Sequence, residues 1–245
     1  MSDLVDRYRK ARRDPSLAVI EGFHALKHAL RFGAVIEHAA TRDAAALAEL
    51  AERLAPDIAP LLSAERVMPE RFERLAPAPP ATGVIALARR QRLDPAEVLA
   101  RAGAAPVVLL DAPDDLGNIG AVVRVAAAAG AAAVLATGRH DPWHPVALRG
   151  SAGLHFALPV VRVALPLPSS RPLVALDPAG EPSGALPSGA VLAFGSERRG
   201  LSAELLAVAE RRVALPMRRG VSSLNLATAV AAVLYALPNA GREPG

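Results

Sequence analysis

Three short segments of this chain carry polar residues in positions where chemistry could be done. They are Asn118-Ile-Gly-Ala-Val-Val-Arg124, Phe194-Gly-Ser-Glu-Arg-Arg-Gly-Leu201 and Leu215-Pro-Met-Arg-Arg-Gly-Val-Ser-Ser-Leu-Asn225. Together they offer a guanidinium (Arg124), two amides (Asn118 and Asn225), a carboxylate (Glu197), a hydroxyl (Ser223) and a chain-approach glycine (Gly195). That set can bind a ligand, orient it and stabilise developing negative charge. It lacks the means of covalent attack. No cysteine is present, and no Gly-x-Ser-x-Gly elbow activates Ser222 or Ser223. Six histidines are scattered without zinc spacing, so no metal is expected. The glycines after Asp111 match neither a dinucleotide fingerprint nor a P-loop. Arg124 interrupts an apolar helix pattern. A guanidinium buried there needs a partner, either an intramolecular acid or the charge of a ligand.

Each segment must sit at the junction of a strand and a helix. Val107–Leu110 reads as an apolar strand, and Asn118–Ala129 as the helix after it. Val191–Phe194 and Val213–Leu215 read as further strands, followed by helices from about Ser202 and over Leu224–Leu237. Ser222 or Ser223 is placed to cap the last of these. Ala133–Ala136, Phe156–Val163 and Leu173–Leu176 complete the strands. Continuous apolar strands alternating with helices predict a mostly parallel sheet covered on both faces. In such a sheet the three segments meet at the C-terminal strand edge, where open α/β sheets bind ligands.

The N-terminal part has a different character. Over residues 1–92 a short strand beginning at Val19 turns at Gly22 into a helix bearing His24, Lys27, His28 and Arg31. Ala44–Leu54 reads as a helix and Thr82–Ala88 as a closing strand, giving a small α/β domain. Residues 93–104 read as a short helical linker, and residues 105–245 as the second domain. At 245 residues, 52% hydrophobic and 21% charged, the chain can fill such cores. The apolar runs are too short to span a bilayer, the N-terminus is charged, and a cytoplasmic protein is expected. Net charge is +4, and arginine far outnumbers lysine, which suits bidentate phosphate contacts. Arg7, Arg9, Lys10, Arg12 and Arg13, with Tyr8 among them, are either a solvated arm or a nucleic-acid backbone contact.

In their order and their spacing to the C-terminus, the three segments resemble the motifs of the SpoU (TrmH) family of RNA methyltransferases, in the SPOUT superfamily. The resemblance is good over residues 105–245. It is weaker over 16–92, where Val19–His28 and Thr82–Ala86 look like the family's N-terminal RNA-binding domain. It implies an α/β fold with a mostly parallel sheet, a C-terminal trefoil knot and a preceding small α/β RNA-binding domain. It also implies S-adenosyl-L-methionine as cofactor and transfer of its methyl group to a ribose 2′-hydroxyl, of ribosomal RNA before transfer RNA. A homodimer built around the last helix, through Ala229 and Val233, is implied as well. Carried over by position, Arg124 is the catalytic arginine, Ser223 and Asn225 orient it or the substrate, and Asn118 holds the target ribose or a phosphate. Gly195, Leu215 and Leu224 contact the cofactor, and Glu197 supports the cofactor loop or the partner subunit. A guanidinium stays charged in neutral water. We therefore read Arg124 as stabilising an alkoxide or the adjacent phosphate, with proton loss to water or to a transiently perturbed guanidinium. The alternatives are a knotted RNA-binding protein without turnover, and a base-directed methyltransferase of the same fold.

Overall fold

The structure, a computed structural model, describes residues 4–168, 171–182, 184–221 and 223–237. Its elements in chain order begin with α1 (Leu4–Ala11), β1 (Leu17–Glu21), α2 (Phe23–Arg31), β2 (Ile36–Thr41), α3 (Ala44–Leu54), β3 (Glu65–Arg66), α4 (Pro69–Phe72) and β4 (Val84–Arg89). They continue with α5 (Pro95–Arg101), β5 (Val107–Asp111), α6 (Leu116–Ala128), β6 (Ala133–Ala136), α7 (Pro145–Gly150), β7 (Val160–Arg162) and β8 (Leu173–Pro182). The last are β9 (Val191–Gly195), α8 (Ala203–Val208), β10 (Arg211–Ala214) and α9 (Leu226–Ala236). The chain folds as two compact units. One takes the chain as far as Arg92 together with Trp143–Ala157; the other takes Leu93–Pro142 and the chain from Leu158 onward. The excursion Trp143–Ala157 departs from the expected division, which kept 105–245 together. Nor are residues 93–104 a mere linker. Asp94 caps α5, and Val98 and Leu99 of that helix are buried in the core of the second unit.

In the first unit the sheet order is β1-β4-β2-β3. Gly22, at φ +95°, turns the chain from β1 into α2 as expected, and its N–H donates to Val84 O. Phe23, Leu26 and Ala29 of α2 pack with Ile20, Ala86 and Leu47. Leu4, Val5 and Tyr8 of α1 pack with Val19, Ile85 and Leu87. The basic arm is therefore a docked helix, and Tyr8 belongs to the core rather than to a nucleic-acid surface. Its hydroxyl donates to Ile85 O at 3.1 Å and lies 3.0 Å from His38 Nδ1. Arg12 is spent on the buried Glu21 at 2.7 Å, whose other oxygen is 3.4 Å from Arg149. Arg7, Lys10 and Arg13 are exposed.

In the second unit all strand pairings are parallel, in the order β10-β8-β9-β5-β6-β7. Burial on both faces explains why these strands are apolar without alternation. Val107, Leu109, Leu135, Val191 and Ala193 pack with α5 and with Leu201 and Leu205 around the start of α8. The intervening residues Val108, Leu110, Val134 and Leu192 are equally buried, and α6 and α9 pack together on the sheet. The expected strand over Phe156–Val163 is shorter. Leu154–Phe156 forms a single 3-10 turn, Pro159 interrupts the run, and only Val160–Arg162 pairs. No described helix is long and apolar enough to cross a membrane.

Tyr8 makes this fold pH-sensitive at the alkaline end. Burial pushes its ionisation well above the ordinary phenol value of 10.0. The folded state favours the neutral form, so this contribution is complete below pH 10 and is lost as pH rises beyond it. Tyr8→Phe should cost about 1 kcal/mol at neutral pH, for the hydrogen bond to Ile85 O, and should flatten the alkaline decline. Urea melts from pH 8 to pH 11 test this; equal alkaline slopes in both proteins would exclude Tyr8 as the titrating group.

Candidate active site at the carboxyl edge of the parallel sheet

Asp111 ends β5 opposite Gly195 at the end of β9, so the loops leaving these strands rise side by side. Asp115 caps α6, its Oδ1 accepting the Asn118 N–H at 2.8 Å. The helix therefore starts at Leu116, two residues earlier than expected, and Asn118 already lies within its first turn. A Cβ on Gly117 would come within 3.0 Å of the capping carboxylate, which is why a glycine serves there.

Asn118 joins the three segments. Its Nδ2 donates to Glu197 Oε1, and its Oδ1 accepts from Asn225 Nδ2 at 3.0 Å. Asn225 in turn caps α9, its Oδ1 accepting from the N–H groups of Ala227 at 2.9 Å and Thr228 at 3.4 Å. The expected serine cap is thus replaced by Asn225. Ser222 lies outside the described residues, while Ser223 is exposed and makes no hydrogen bond to the described residues. The amide nitrogen of Asn225 bonds Asn118, and its oxygen holds the helix.

Gly195 is needed for packing. A Cβ there would meet the carbonyl carbon of Gly200 at 2.1 Å. The loop 196–200 folds back on itself, Ser196 and Gly200 exchanging backbone hydrogen bonds at 3.1 and 2.9 Å. That fold presents Glu197 towards Asn118. Leu215 follows β10 and is half-buried, and Leu224 is exposed.

Arg124 is not part of the network. It lies six residues beyond Asn118, about 9 Å along the helix and roughly a third of a turn around it. It is exposed, and it forms no hydrogen bond or ion pair with the described residues. The reading of a buried guanidinium is corrected on both counts: α6 faces its apolar side inward through Ile119, Val122, Val123 and Ala126 and turns Arg124 to the surface. An intramolecular salt bridge does not occupy it.

The residues that sequence reasoning passed over are Asp111, Thr137 and Ser202. Asp111 is buried, with Oδ1 accepting from Thr137 Oγ1 at 3.0 Å and Oδ2 from the Ser202 N–H at 2.7 Å. Thr137 Oγ1 also accepts the Ala112 N–H at 2.9 Å, and Ser202 caps α8. This carboxylate ties the ends of β5 and β6 to the loop after β9. The available signal was an aspartate closing an otherwise apolar strand, since a buried charge must be satisfied by donors.

A parallel α/β unit with a site made from three strand–loop–helix junctions defines a class, and comparison with known proteins places this chain within it. The profile of the SpoU rRNA methylase family matches residues 105–235, which include all three segments, and the chain belongs to that family. An uncharacterized tRNA/rRNA methyltransferase of Mycobacterium bovis is 35% identical over 179 residues, 66% of this chain and 62% of that protein. The chain thus spans less than two thirds of such relatives. The 23S rRNA (guanosine(2553)-2′-O)-methyltransferase RlmP of Bacillus subtilis is 29% identical over 240 residues, 94% of this chain and 91% of that one. The crystal structure of the SpoU methyltransferase AviRb from Streptomyces viridochromogenes, in complex with AdoMet, shares the fold. Its TM-score is 0.75 at 24% identity, covering 94% of this chain and 95% of that chain.

The two roles of Asn225 can be separated. Asn225→Ala removes both cap and link and should cost about 1 kcal/mol of stability. Asn225→Asp keeps an acceptor for the α9 amides but loses the donor to Asn118, so it should melt near the unaltered protein. Comparable destabilisation by the two substitutions would show that the link, and not the cap, stabilises this junction.

Proposed function

We propose that this chain transfers a methyl group from S-adenosyl-L-methionine to a ribose 2′-hydroxyl of RNA, with ribosomal RNA as the substrate class. The observation that carries the reading is the Asn118–Glu197–Asn225 network, with a solvent-facing Arg124 on the same helix. The names of relatives from Bacillus subtilis and Streptomyces viridochromogenes support the substrate class, since both are 23S rRNA 2′-O-methyltransferases. The cytoplasm is the compartment this reading implies.

The residues present suit the cofactor. Gly195 lets the loop after β9 fold back tightly against the strand end, where any Cβ would clash, and Leu215 and Leu224 supply apolar surface for an adenine ring. These three would hold the cofactor, with Glu197 fixing the loop between them. The bound cofactor supplies an electrophilic methyl group. Arg124 then stabilises negative charge on the ribose oxygen or the adjacent phosphate as the hydroxyl proton leaves to water. Asn118 is held rigid by its two partners and positions the ribose, and Ser223 adds a hydroxyl beside it. In this reading the chain after β10 forms the family's trefoil knot. Supporting it, β10 lies at the far edge of the sheet, yet α9 returns to pack on α6 and β9. The unit containing residues 4–92 serves as the RNA-binding domain, with Arg7, Lys10 and Arg13 on its surface.

The same reading includes a homodimer, with its interface shifted from the one the sequence suggested. Val233 is only 3% exposed within a single chain, so it belongs to the chain's own core. The exposed large apolar side chains on and just before α9 are Tyr235 together with Met217, Val221 and Leu224. Exposed apolar side chains so placed can serve an interface, and two-fold symmetry is the commonest form of self-association.

Purified protein, labelled S-adenosyl-L-methionine and total RNA from a strain lacking the gene should yield 2′-O-methylated nucleosides. Label in a base, or none, would overturn the assignment. Arg124→Ala should slow transfer by roughly 10²–10³-fold while cofactor affinity stays within a few fold.

Light scattering should give twice the chain mass of 25.4 kDa. Tyr235→Glu should give the single mass, and a monomeric unaltered protein would exclude the dimer.

A further inference from the structure

Beside the Asn118 network lies an open cavity of ≈ 490 Å³ above the ends of β5, β6 and β9. Ala112, Pro113 and Gly138 line it from the first two loops, and Arg139, Arg198 and Arg199 bring three guanidinium groups. Asp114, the one acid in the lining, is already spent on Arg199 at 3.2 Å. Arg139 uses only its Nε, which lies 3.3 Å from His140 Nε2. Arg198 is exposed and has no hydrogen bond or ion pair among the described residues. Two positive charges therefore face the cavity uncompensated.

The backbone beneath them is constrained. Ala112 is held at φ +45°, a conformation unusual for a residue other than glycine, and its N–H is fixed by Thr137 Oγ1. A Cβ on Gly138, at φ +83°, would lie 2.9 Å from Ala112 Cα, so the two loops are pressed against each other. Neither loop can relax into the cavity without breaking that contact. On the opposite side Arg198 belongs to the folded-back loop that also carries Glu197, closed by the Ser196–Gly200 backbone hydrogen bonds.

We propose that this cavity is a phosphodiester-binding site in which Arg139 and Arg198 hold the RNA backbone next to the ribose at Asn118. The inference rests on the RNA reading above and adds positioning residues to it. Planar guanidinium forks suit phosphate oxygens. The position favours a polymer over a free anion. The cavity is open, none of its charged groups is buried, and it adjoins the network through two consecutive pairs, Asp114–Asp115 and Glu197–Arg198. A single strand crossing Asn118 continues over the cavity at the next linkage.

The test uses the full chain and a short, fluorescently labelled single-stranded oligoribonucleotide, with Kd measured by anisotropy across a salt series. R139A/R198A should raise Kd and flatten the log Kd against log salt slope by about 1.4, two contacts at about 0.7 each on single strands. Cofactor binding by calorimetry should be unchanged, which also establishes that the variant is folded. R101A removes an exposed arginine from the same unit, away from the cavity lining, and should leave the slope as it is. An unchanged slope in R139A/R198A, or an equal flattening in R101A, overturns the proposal. Saturable binding of inorganic phosphate as tight as that of the oligoribonucleotide also overturns it, in favour of a free-anion site. If the unaltered protein methylates RNA while the slope test fails, this inference falls and the function stands. If it neither binds nor methylates RNA, both fall.

Discussion

The site depends on one side-chain amide. Asn118 has a donor and an acceptor at its tip, and each goes to a different, distant part of the chain: Glu197, 79 residues away, and Asn225, 107 residues away. A carboxylate in its place could not donate to Glu197, and a hydrocarbon could do neither. The backbone N–H of the same residue is taken by the Asp115 cap, so its position is fixed at both ends. Three loops that share no local sequence relation are therefore held to one another by a group of a few atoms. Each of the two partners has a second task as well. Asn225 starts α9, and Glu197 sits in a loop that closes on Gly195 with no room for a Cβ.

Beneath this network, the Asp111 carboxylate performs the matching role inside the protein. Burying a carboxylate without a cation is costly unless hydrogen bonds replace its water. Both Asp111 oxygens are satisfied, one by a hydroxyl on the adjoining strand and one by the amide that begins α8. The donors come from the two neighbouring junctions, so the loops after β5, β6 and β9 keep one relative arrangement. A strained Ala112 between Asp111 and the cavity is tolerable only on such a frame.

Much of this was legible in the sequence. Continuous apolar strands gave the parallel sheet, and Gly195 and Gly200 mark the loop that folds back. What was missed has physical reasons. Hydrogen bonding between Asn118, Glu197 and Asn225 crosses long stretches of chain, and no periodicity encodes it. Arg124 among valines looked buried, yet α6 needs only one face for packing and its other face is free to carry charge. The serine pair looked like the cap of α9, but Asn225 stands one residue before the helix and offers a better-placed acceptor. Tyr8 looked like an aromatic among nucleic-acid-binding arginines because a one-sided helix alternates core and surface residues within a few positions.

Net charge understates what the surface offers. Many of the acids are already committed: Glu21 to Arg12, Asp57 to Arg31, Glu37 to Arg89 and Asp114 to Arg199. Apart from the buried Glu21–Arg12 pair, such surface pairs add little stability, but each removes one cation and one anion from the field a ligand meets. Around the carboxyl edge of the parallel sheet the cations outnumber the acids, since the exposed carboxylates of Asp115 and Glu197 accept hydrogen bonds from Asn118. Arg124, Arg139, Arg198, Arg218 and Arg219 are all exposed there or in the adjoining loop, and no described acid pairs with any of them. A polyanion is steered by that local excess rather than by the formal +4 of the whole chain. The pairing pattern thus concentrates positive potential beside the amide network.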